Sequence, residues 1–157
     1  MSNLYHFPTT SNLCYLVQSD GVLLIMKKRG FGAGKLNGVG GKLNPGETSE
    51  EAVRREIKEE IGCEPVELKS VGVIEFVWPE DKKDWNQRCQ IYICSKFSGE
   101  PIESEECLPR WYKISQLPLD QMWDDDQYWL SGVLAGGTVN KRFFFDDESK
   151  VLRFEDI

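Results

Sequence analysis

The chain has 157 residues, 40% of them hydrophobic and 29% charged, and its formal net charge is −7. This length and balance fit one folded domain spanning residues 1–157. The acidity argues against a nucleic acid polymer as partner, because such a partner requires a basic surface. The sequence contains neither an apolar run long enough to cross a membrane nor a signal-peptide pattern, so we expect no membrane association.

Cysteine usage indicates the compartment. The number of cysteines is odd, no C-x-x-C pair occurs, and the spacings suit neither a zinc site nor a disulfide framework. We therefore expect small buried or half-buried thiols in a cytoplasmic protein. The cysteines are Cys14, Cys63, Cys89, Cys94 and Cys107.

The first third of the chain predicts a hairpin followed by a long loop. Residues 12–18 and 22–27 are apolar runs separated by the turn sequence Ser-Asp-Gly, which indicates two antiparallel strands. Residues 29–47 contain seven glycines and one proline, and this composition predicts a loop. Residues 48–61 then predict a helix with a cap at Thr48 or Ser49.

The remaining elements alternate between strands and one more helix. Strands are expected over 66–78, 88–97 and 111–114, a helix over 121–135, and a final hairpin over 141–145 and 151–154. Short hairpin links favour antiparallel pairing, and two helices on a mixed sheet predict an α+β sandwich.

The helix over 48–61 carries an unusual cluster of carboxylates. At about 100° per residue, Glu56, Glu59 and Glu60 border the buried apolar stripe, whereas Arg55 and Lys58 point the other way. A charge-rich surface helix is the plain alternative, since Glu and Lys are good helix formers. Like charges beside a buried face repel, however, so this arrangement of glutamates favours a site for a hard divalent cation. Oxygen ligands of this kind suit Mg²⁺, with Mn²⁺ as a substitute.

Residues 41–63 resemble the Nudix box, G-x5-E-x7-R-E-U-x-E-E-x-G-U, where U is a bulky aliphatic residue. Every charged and glycine position matches, and Cys63 occupies the last aliphatic position. The resemblance implies an α/β/α sandwich with a mixed, mainly antiparallel sheet. It also implies hydrolysis of a nucleoside diphosphate linked to another group. The matching positions are Gly41, Glu47, Arg55, Glu56, Glu59, Glu60 and Gly62.

Roles for individual residues follow from the same resemblance. Glu56, Glu59 and Glu60 would hold Mg²⁺ together with a backbone carbonyl of Gly40 or Gly41. Two further residues of the box, Glu47 and Arg55, would orient the loop and the helix. Glu106 lies in a stretch that often supplies another metal ligand or a base in this family, although its ESEE context is also that of a solvated acidic loop.

Residues 26–42 and 123–129 resemble one branch of the family, the animal-type MutT homologues that hydrolyse oxidised purine nucleoside triphosphates to monophosphate and pyrophosphate. This resemblance implies that Asn37, Asp125 and Asp126 read the base and that Trp123 stacks on it. Two positions depart from the branch: Leu36 replaces a tryptophan, and Asp124 replaces a proline.

The chemistry of the aspartate pair suits a purine. Two neighbouring carboxyls in a pocket do not both ionise easily, so one keeps its proton and the pair can both accept and donate hydrogen bonds. Further candidates for substrate contact are Lys27 and Asn12, together with Phe31 and Phe76, which are equally well explained as core aromatics.

Two alternatives remain open from the sequence. The substrate could be another nucleotide, such as an undamaged or alkylated deoxynucleoside triphosphate or a dinucleoside polyphosphate. The chain could also be a nucleotide-sensing module without turnover, although such a module would be expected to have lost glutamates of the box, and none is lost. In each case we expect a monomer that binds a small nucleotide.

Overall fold

The computed structural model describes residues 4–157 of the chain. Within this part, nine strands form the sheet and two α-helices pack on it, α1 (Ser49–Ile61) and α2 (Asp126–Leu134). Short 3-10 helices cover Glu80–Trp85, Ile114–Gln116 and Leu119–Gln121. The strands are β1 (Thr9–Gln18), β2 (Gly21–Lys27), β3 (Leu36–Asn37), β4 (Val39–Lys42), β5 (Glu64–Val77), β6 (Gln87–Ser98), β7 (Cys107–Lys113), β8 (Val139–Phe145) and β9 (Val151–Asp156).

The strands form one mixed sheet in the order β3-β2-β1-β6-β5-β8-β9, with β4 paired to β1 and β7 paired to β2. The pairs β1–β6 and β5–β8 are parallel, and the other pairs between these strands are antiparallel. The expectation of a mixed, mainly antiparallel sheet is therefore confirmed.

The two helices cover opposite faces of the sheet, and β1 shows how. Successive side chains of a strand point to opposite faces. Tyr15 packs in a core with Trp129 and Leu130 of α2, whereas its neighbours Cys14 and Leu16 pack in a second core with residues of α1. This arrangement is the expected α/β/α sandwich.

Helix α1 is fixed at both ends by the signals in its sequence. Thr48 caps the N-terminus in a capping box with Glu51, and Gly62 adopts a left-handed conformation at φ 72° after the last turn. Val53, Ile57 and Ile61 are fully buried against the sheet. The predicted helix over 48–61 is thus confirmed, and its apolar stripe holds its carboxylates close to the sheet.

Three predicted elements were wrong in extent. The strand expected over 111–114 is β7, which begins at Cys107 and ends at Lys113, because its pairing with β2 extends over the whole of that range. Residues 29–47 contain β3 and β4, because pairing with neighbouring strands overrides the low strand propensity of glycine. The helix expected over 121–135 begins only at Asp126. Met122 is extended instead and forms a bridge with Leu36, which leaves residues 123–125 in a turn.

Two further expectations concern cysteines and membrane spans. All five cysteines are free and buried, as predicted. In residues 4–157 we find no helix that combines the length and the apolarity needed to cross a membrane.

Candidate active site

Two glutamates of α1 face the point where the helix meets β4, Glu60 buried and Glu56 half-buried. Glu60 is 9% exposed, and its Oε2 accepts a hydrogen bond from the backbone N–H of Gly40 at 3.2 Å. Burial raises the pKa of Glu60 to about 8 and also raises the pKa of Glu56, and the charge of Glu56 adds to the shift of Glu60. Two carboxyls that resist ionisation side by side form a site that a divalent cation would stabilise in the charged state.

Glycines in β4 let the strand backbone approach these carboxylates. A Cβ added to Gly41 would lie 2.8 Å from Oε1 of Glu56. At Gly40, a Cβ would lie 2.0 Å from the backbone oxygen of Asn12 in β1. The carboxylates and the nearby backbone carbonyls of β4 make an oxygen donor set of the type that Mg²⁺ prefers.

Arg55 joins the loop before α1 to the helix. Its Nε and Nη2 donate to the two carboxylate oxygens of Glu47 at 2.7 and 3.0 Å, and its Nη1 donates to Glu56 at 2.8 Å. The hydrogen bond from Arg55 lowers the pKa of Glu47 to about 2. The prediction that Arg55 points away from the carboxylates was wrong, because its long side chain turns back across the helix surface.

Two of the predicted catalytic glutamates, Glu59 and Glu106, are held by arginines and not by the contacts of Glu60. The side chain of Glu59 is 60% exposed and accepts a hydrogen bond from Arg55 at 3.2 Å. Glu106 is bound by Arg29 at 2.5 Å, which lowers its pKa. Consequently, no three Asp, Glu, His or Cys side chains within residues 4–157 converge in the arrangement of a preformed metal cluster.

One cavity of about 180 Å³ extends from the carboxylates to the aromatic residues near α2. Gly40, Gly41 and Glu60 line one end, and Trp123, Asp125 and Asp126 line the other. Predicted substrate contacts that also line the cavity are Asn12, Lys27, Phe31, Asn37 and Phe76. The structure thus brings residues from distant parts of the sequence together around one space.

Aromatic rings form the walls at the α2 end. Phe31 is stacked on Trp123 with ring centroids 5.3 Å apart, and both approach Trp78 edge to face. Phe76 lies 5.9 Å from Phe145. Flat aromatic surfaces around a narrow cavity suit the stacking of a planar base.

Asp125 and Asp126 lie at the bottom of this aromatic pocket, and each is 2% exposed. Oδ2 of Asp125 accepts a hydrogen bond from Nε1 of Trp129 at 2.8 Å. Oδ2 of Asp126 is buried, and no group among the described residues hydrogen-bonds to it. Burial raises the pKa of Asp125 to about 6 and raises that of Asp126 well above its usual range, with the charge of Asp125 as the second cause.

Asn37, Lys27 and Asn12 occupy different parts of the cavity wall. Oδ1 of Asn37 accepts hydrogen bonds from the N–H of Gly38 at 2.8 Å and from the hydroxyl of Tyr15 at 3.2 Å. The charge of Lys27 favours the ionised form of Glu60. The amide of Asn12 donates to the backbone oxygen of Ser49 in α1 at 3.4 Å, so it lies on the carboxylate side and away from the aspartates.

Sequence reasoning missed several residues that complete the pocket. Ser11 and Leu13 of β1 and Cys89 of β6 line it, and Tyr15 and Trp129 support its polar groups. The sequence signal for these residues was the alternation of side chains along β1. Ser11, Leu13 and Tyr15 occupy every second position and therefore lie on one face of the strand. That face could not be assigned to the pocket before the partner strands were known.

Both departures from the resembled branch fit into the structure. Leu36 is 2% exposed and packs in the core on the α2 side. Asp124 accepts a hydrogen bond from the N–H of Val151 at 2.8 Å and another from Gln127 at 2.9 Å. The negative charge of Asp124 also contributes to the raised pKa of Asp125.

Comparisons with known proteins agree with this geometry. A sequence profile of the NUDIX domain matches residues 8–132. The chain is 40% identical over 151 residues to an oxidized purine nucleoside triphosphate hydrolase of Mus musculus, covering 93% of this chain and 94% of that protein. It is 46% identical over 133 residues to a protein with the same description from Danio rerio, covering 83% and 80%.

A solved structure supports the fold. The crystal structure of a MutT protein from Bacillus halodurans superposes with a TM-score of 0.82 at 24% identity, covering 94% of this chain and 96% of the other. At that identity the similarity concerns the fold alone. Together, the matched profile, the two relatives and the box of residues 41–63 show that the chain belongs to the Nudix hydrolase family.

Proposed function

We propose that this protein is a Mg²⁺-dependent pyrophosphohydrolase of oxidised purine deoxynucleoside triphosphates, such as 8-oxo-dGTP and 2-oxo-dATP. Water is added across the anhydride bond between the α- and β-phosphates, and the products are the nucleoside monophosphate and pyrophosphate. The mouse and zebrafish relatives, which are oxidized purine nucleoside triphosphate hydrolases, support this assignment.

One observation carries the proposal. Oδ2 of Asp126 is buried without a hydrogen-bonding partner among the described residues, in the same cavity that Glu60 lines at its other end. Buried polar atoms are nearly always paired, so an unpaired one in a cavity indicates a ligand that supplies the partner. A base held at Asp126 would extend its phosphates toward the carboxylates.

The aspartate pair suits the hydrogen-bonding edge of an oxidised purine. With one proton on the pair, a carboxylate oxygen can accept from a ring N–H or an exocyclic amine while the protonated oxygen donates to a carbonyl. The hydrogen bond from Trp129 favours the charged form of Asp125, and this leaves Asp126 as the carboxyl that keeps the proton. The stacked Phe31 and Trp123 would form the wall against the plane of the base.

The residues at the other end fit a hard divalent cation. Glu56 and Glu60, with a backbone carbonyl of Gly40 or Gly41, would hold Mg²⁺, or Mn²⁺ in its place, and Glu59 would join them if it leaves Arg55. When bound, such an ion neutralises phosphate oxygens and lowers the pKa of a water molecule. The hydrogen bonds between Glu47 and Arg55 fix the loop before α1 to the helix. Glu106 would act as base or ligand only after separating from Arg29.

The oligomeric state, the compartment and the size of the substrate can be proposed from further features of the chain. A single chain supplies the residues at both ends of the cavity, and we propose a monomer as the working unit. The five free and buried cysteines support action in a reducing compartment, and we propose the cytoplasm. The net charge of −7 is consistent with a small nucleotide, and not a nucleic acid polymer, as substrate.

The test is to compare kcat/KM for 8-oxo-dGTP, 2-oxo-dATP and dGTP with Mg²⁺, and to identify the products. We expect pyrophosphate release with a preference for the oxidised purines, and a large loss in the Glu59→Gln variant. A preference for dGTP or a dinucleoside polyphosphate would indicate a different Nudix substrate. The absence of metal-dependent release from any of these nucleotides would favour a sensing module.

A further inference from the structure

We propose that Tyr15 is a positioning residue that holds the side-chain amide of Asn37 with its nitrogen toward the cavity, and that this orientation favours purines with an oxygen at C6 over purines with an amino group there. The inference rests on the proposed function, because it concerns how the same cavity selects its base. Tyr15 does not itself line the cavity and acts through Asn37.

Tyr15 is built into the core with its hydroxyl aimed at Asn37. The side chain is fully buried in β1, and the hydroxyl lies 3.2 Å from Oδ1 of Asn37. A Cβ added to Gly38 would lie 2.9 Å from the backbone oxygen of Cys14 and 3.0 Å from two carbons at the phenol end of the Tyr15 ring, so glycine at this position lets both groups approach. Burial raises the pKa of Tyr15 well above its usual value, and the hydroxyl therefore stays protonated.

The orientation of the Asn37 amide follows from its two partners. The backbone N–H of Gly38 lies 2.8 Å from the side-chain oxygen, and a backbone N–H can only donate. The atom facing Gly38 must therefore be the oxygen, which also accepts from Tyr15. Reversing the amide would place a donor against the Gly38 donor. The hydroxyl of Tyr15 could then only accept from the amide nitrogen, and its own buried proton would lose its acceptor. The nitrogen remains as the group that Asn37 presents to the cavity.

Tyr15 also contacts the support of the aspartate pair. Its ring meets Trp129 edge to face, with centroids 5.9 Å apart and an interplanar angle of 72°. Trp129 in turn donates to Asp125 at 2.8 Å. One buried aromatic pair therefore supports groups on both sides of the pocket, Asn37 from β3 and Asp125 from the turn before α2.

The chemical consequence concerns the C6 substituent of the base. In 8-oxo-dGTP this substituent is a carbonyl oxygen, which accepts a hydrogen bond from an amide nitrogen. In 2-oxo-dATP it is an amino group, which would meet the amide nitrogen as donor against donor unless Asn37 reverses. Reversal leaves the N–H of Gly38 without its acceptor whether or not Tyr15 is present. When Tyr15 is present, reversal also leaves its buried hydroxyl proton without its acceptor, so Tyr15 increases the selectivity for the 6-oxopurine.

The test is the Tyr15→Phe variant, which removes only the hydroxyl. From the typical net contribution of one hydrogen bond, we expect the ratio of kcat/KM for 8-oxo-dGTP over 2-oxo-dATP to fall by about fivefold, mainly through KM. The matched control is Tyr92→Phe, because the hydroxyl of Tyr92 donates to Ser49 at 2.9 Å on the α1 side of the sheet. It should lower stability to a similar extent and leave the ratio unchanged.

A double-mutant cycle separates positioning from packing. If Tyr15 acts through Asn37, the ratio in Asn37→Ala should not change further when Tyr15→Phe is added. An unchanged ratio in Tyr15→Phe, equal shifts in Tyr15→Phe and Tyr92→Phe, or additive shifts in the double variant would each overturn the inference.

Binding measurements keep this test separate from that of the proposed function. Dissociation constants for 8-oxo-dGMP and 2-oxo-dAMP can be compared in wild type and Tyr15→Phe without any turnover. Hydrolysis of 8-oxo-dGTP with no change in either ratio would contradict the role of Tyr15 alone. A shifted binding ratio in a protein that hydrolyses neither triphosphate would support Tyr15 and contradict the proposed activity.

Discussion

Asp125 and Asp126 are consecutive and equally buried, yet a hydrogen bond from Trp129 stabilises only the first, while Oδ2 of the second is without a partner among the described residues. Burial opposes the ionisation of both, and the charge of one opposes that of the other. The pair therefore combines an acceptor and a donor within one turn of the chain, which a purine edge can match.

The first prediction concerns the stability of Asp126→Asn at different pH values. A carboxyl whose pKa is raised by folding binds its proton more tightly in the native state, so stability falls as pH rises from the unfolded pKa toward the folded one. As pH rises above about 4, the usual aspartate pKa, wild type should therefore lose stability relative to Asp126→Asn, by up to about 1.4 kcal/mol per pH unit, until the raised folded pKa is passed. Chemical denaturation without metal measures this. The exposed Asp20→Asn is the control, and parallel curves for wild type and Asp126→Asn would contradict the prediction.

The second prediction concerns the metal response of Glu60→Gln. Glutamine can still accept from Gly40 but carries no charge, so we expect undiminished stability without metal and an activity loss exceeding the roughly 100-fold typical of supporting residues. Added Mg²⁺ should raise the Tm of wild type and not that of the variant, because only a ligand that binds the native state stabilises it. An equal rise in both proteins would place the ion elsewhere.

The third prediction uses the two glycines of β4 as a matched pair. Gly41→Ala places a methyl group against the flexible end of Glu56, so the protein should fold normally and lose activity. Gly40→Ala places the methyl group against the backbone of Asn12 and should instead destabilise the fold by 1 kcal/mol or more, on the order of other overpacking changes. Thermal melts and kcat together distinguish the two effects. Equal stability losses would show that Gly41 serves the sheet and not Glu56.

The fourth prediction concerns the loop anchored by Arg55. Glu47→Gln removes the charge from its paired contact with the guanidinium, and we expect a 10- to 100-fold loss of activity, as is typical when support of a metal site is weakened. Glu51→Gln is the control, because glutamine also completes a capping box with Thr48. Similar activity losses in the two variants would mean that the effect comes from helix capping.

The sequence was most informative where the chemistry is local. The capping box of Thr48, the stop at Gly62 and the buried stripe of α1 follow from short-range rules, and the structure has all three. Glu60 could be placed beside the core for the same reason. The path of the Arg55 side chain could not be predicted, since it depends on where the preceding loop returns Glu47.

The aromatic pocket, in contrast, depends on contacts between distant parts of the sequence. Residues 36–37 and 39–42 were expected to be loop and are strands, because their pairing with β2 and β1 is a long-range property. The contact of Tyr15 with Asn37 depends on that pairing, and so does the line of Ser11 and Leu13 along the cavity. The resemblance pointed to Asp125 and Asp126, but their hydrogen-bonding difference appears only in three dimensions.

The most direct test of the account is the position of the base in a crystal structure of the complex with 8-oxo-dGMP. We predict that the purine edge lies within hydrogen-bonding distance, about 2.5–3.2 Å, of Asn37, Asp125 and Oδ2 of Asp126, with Trp123 against its face. A base bound outside the aromatic pocket, or one that leaves Oδ2 of Asp126 without a partner, would contradict the assignment.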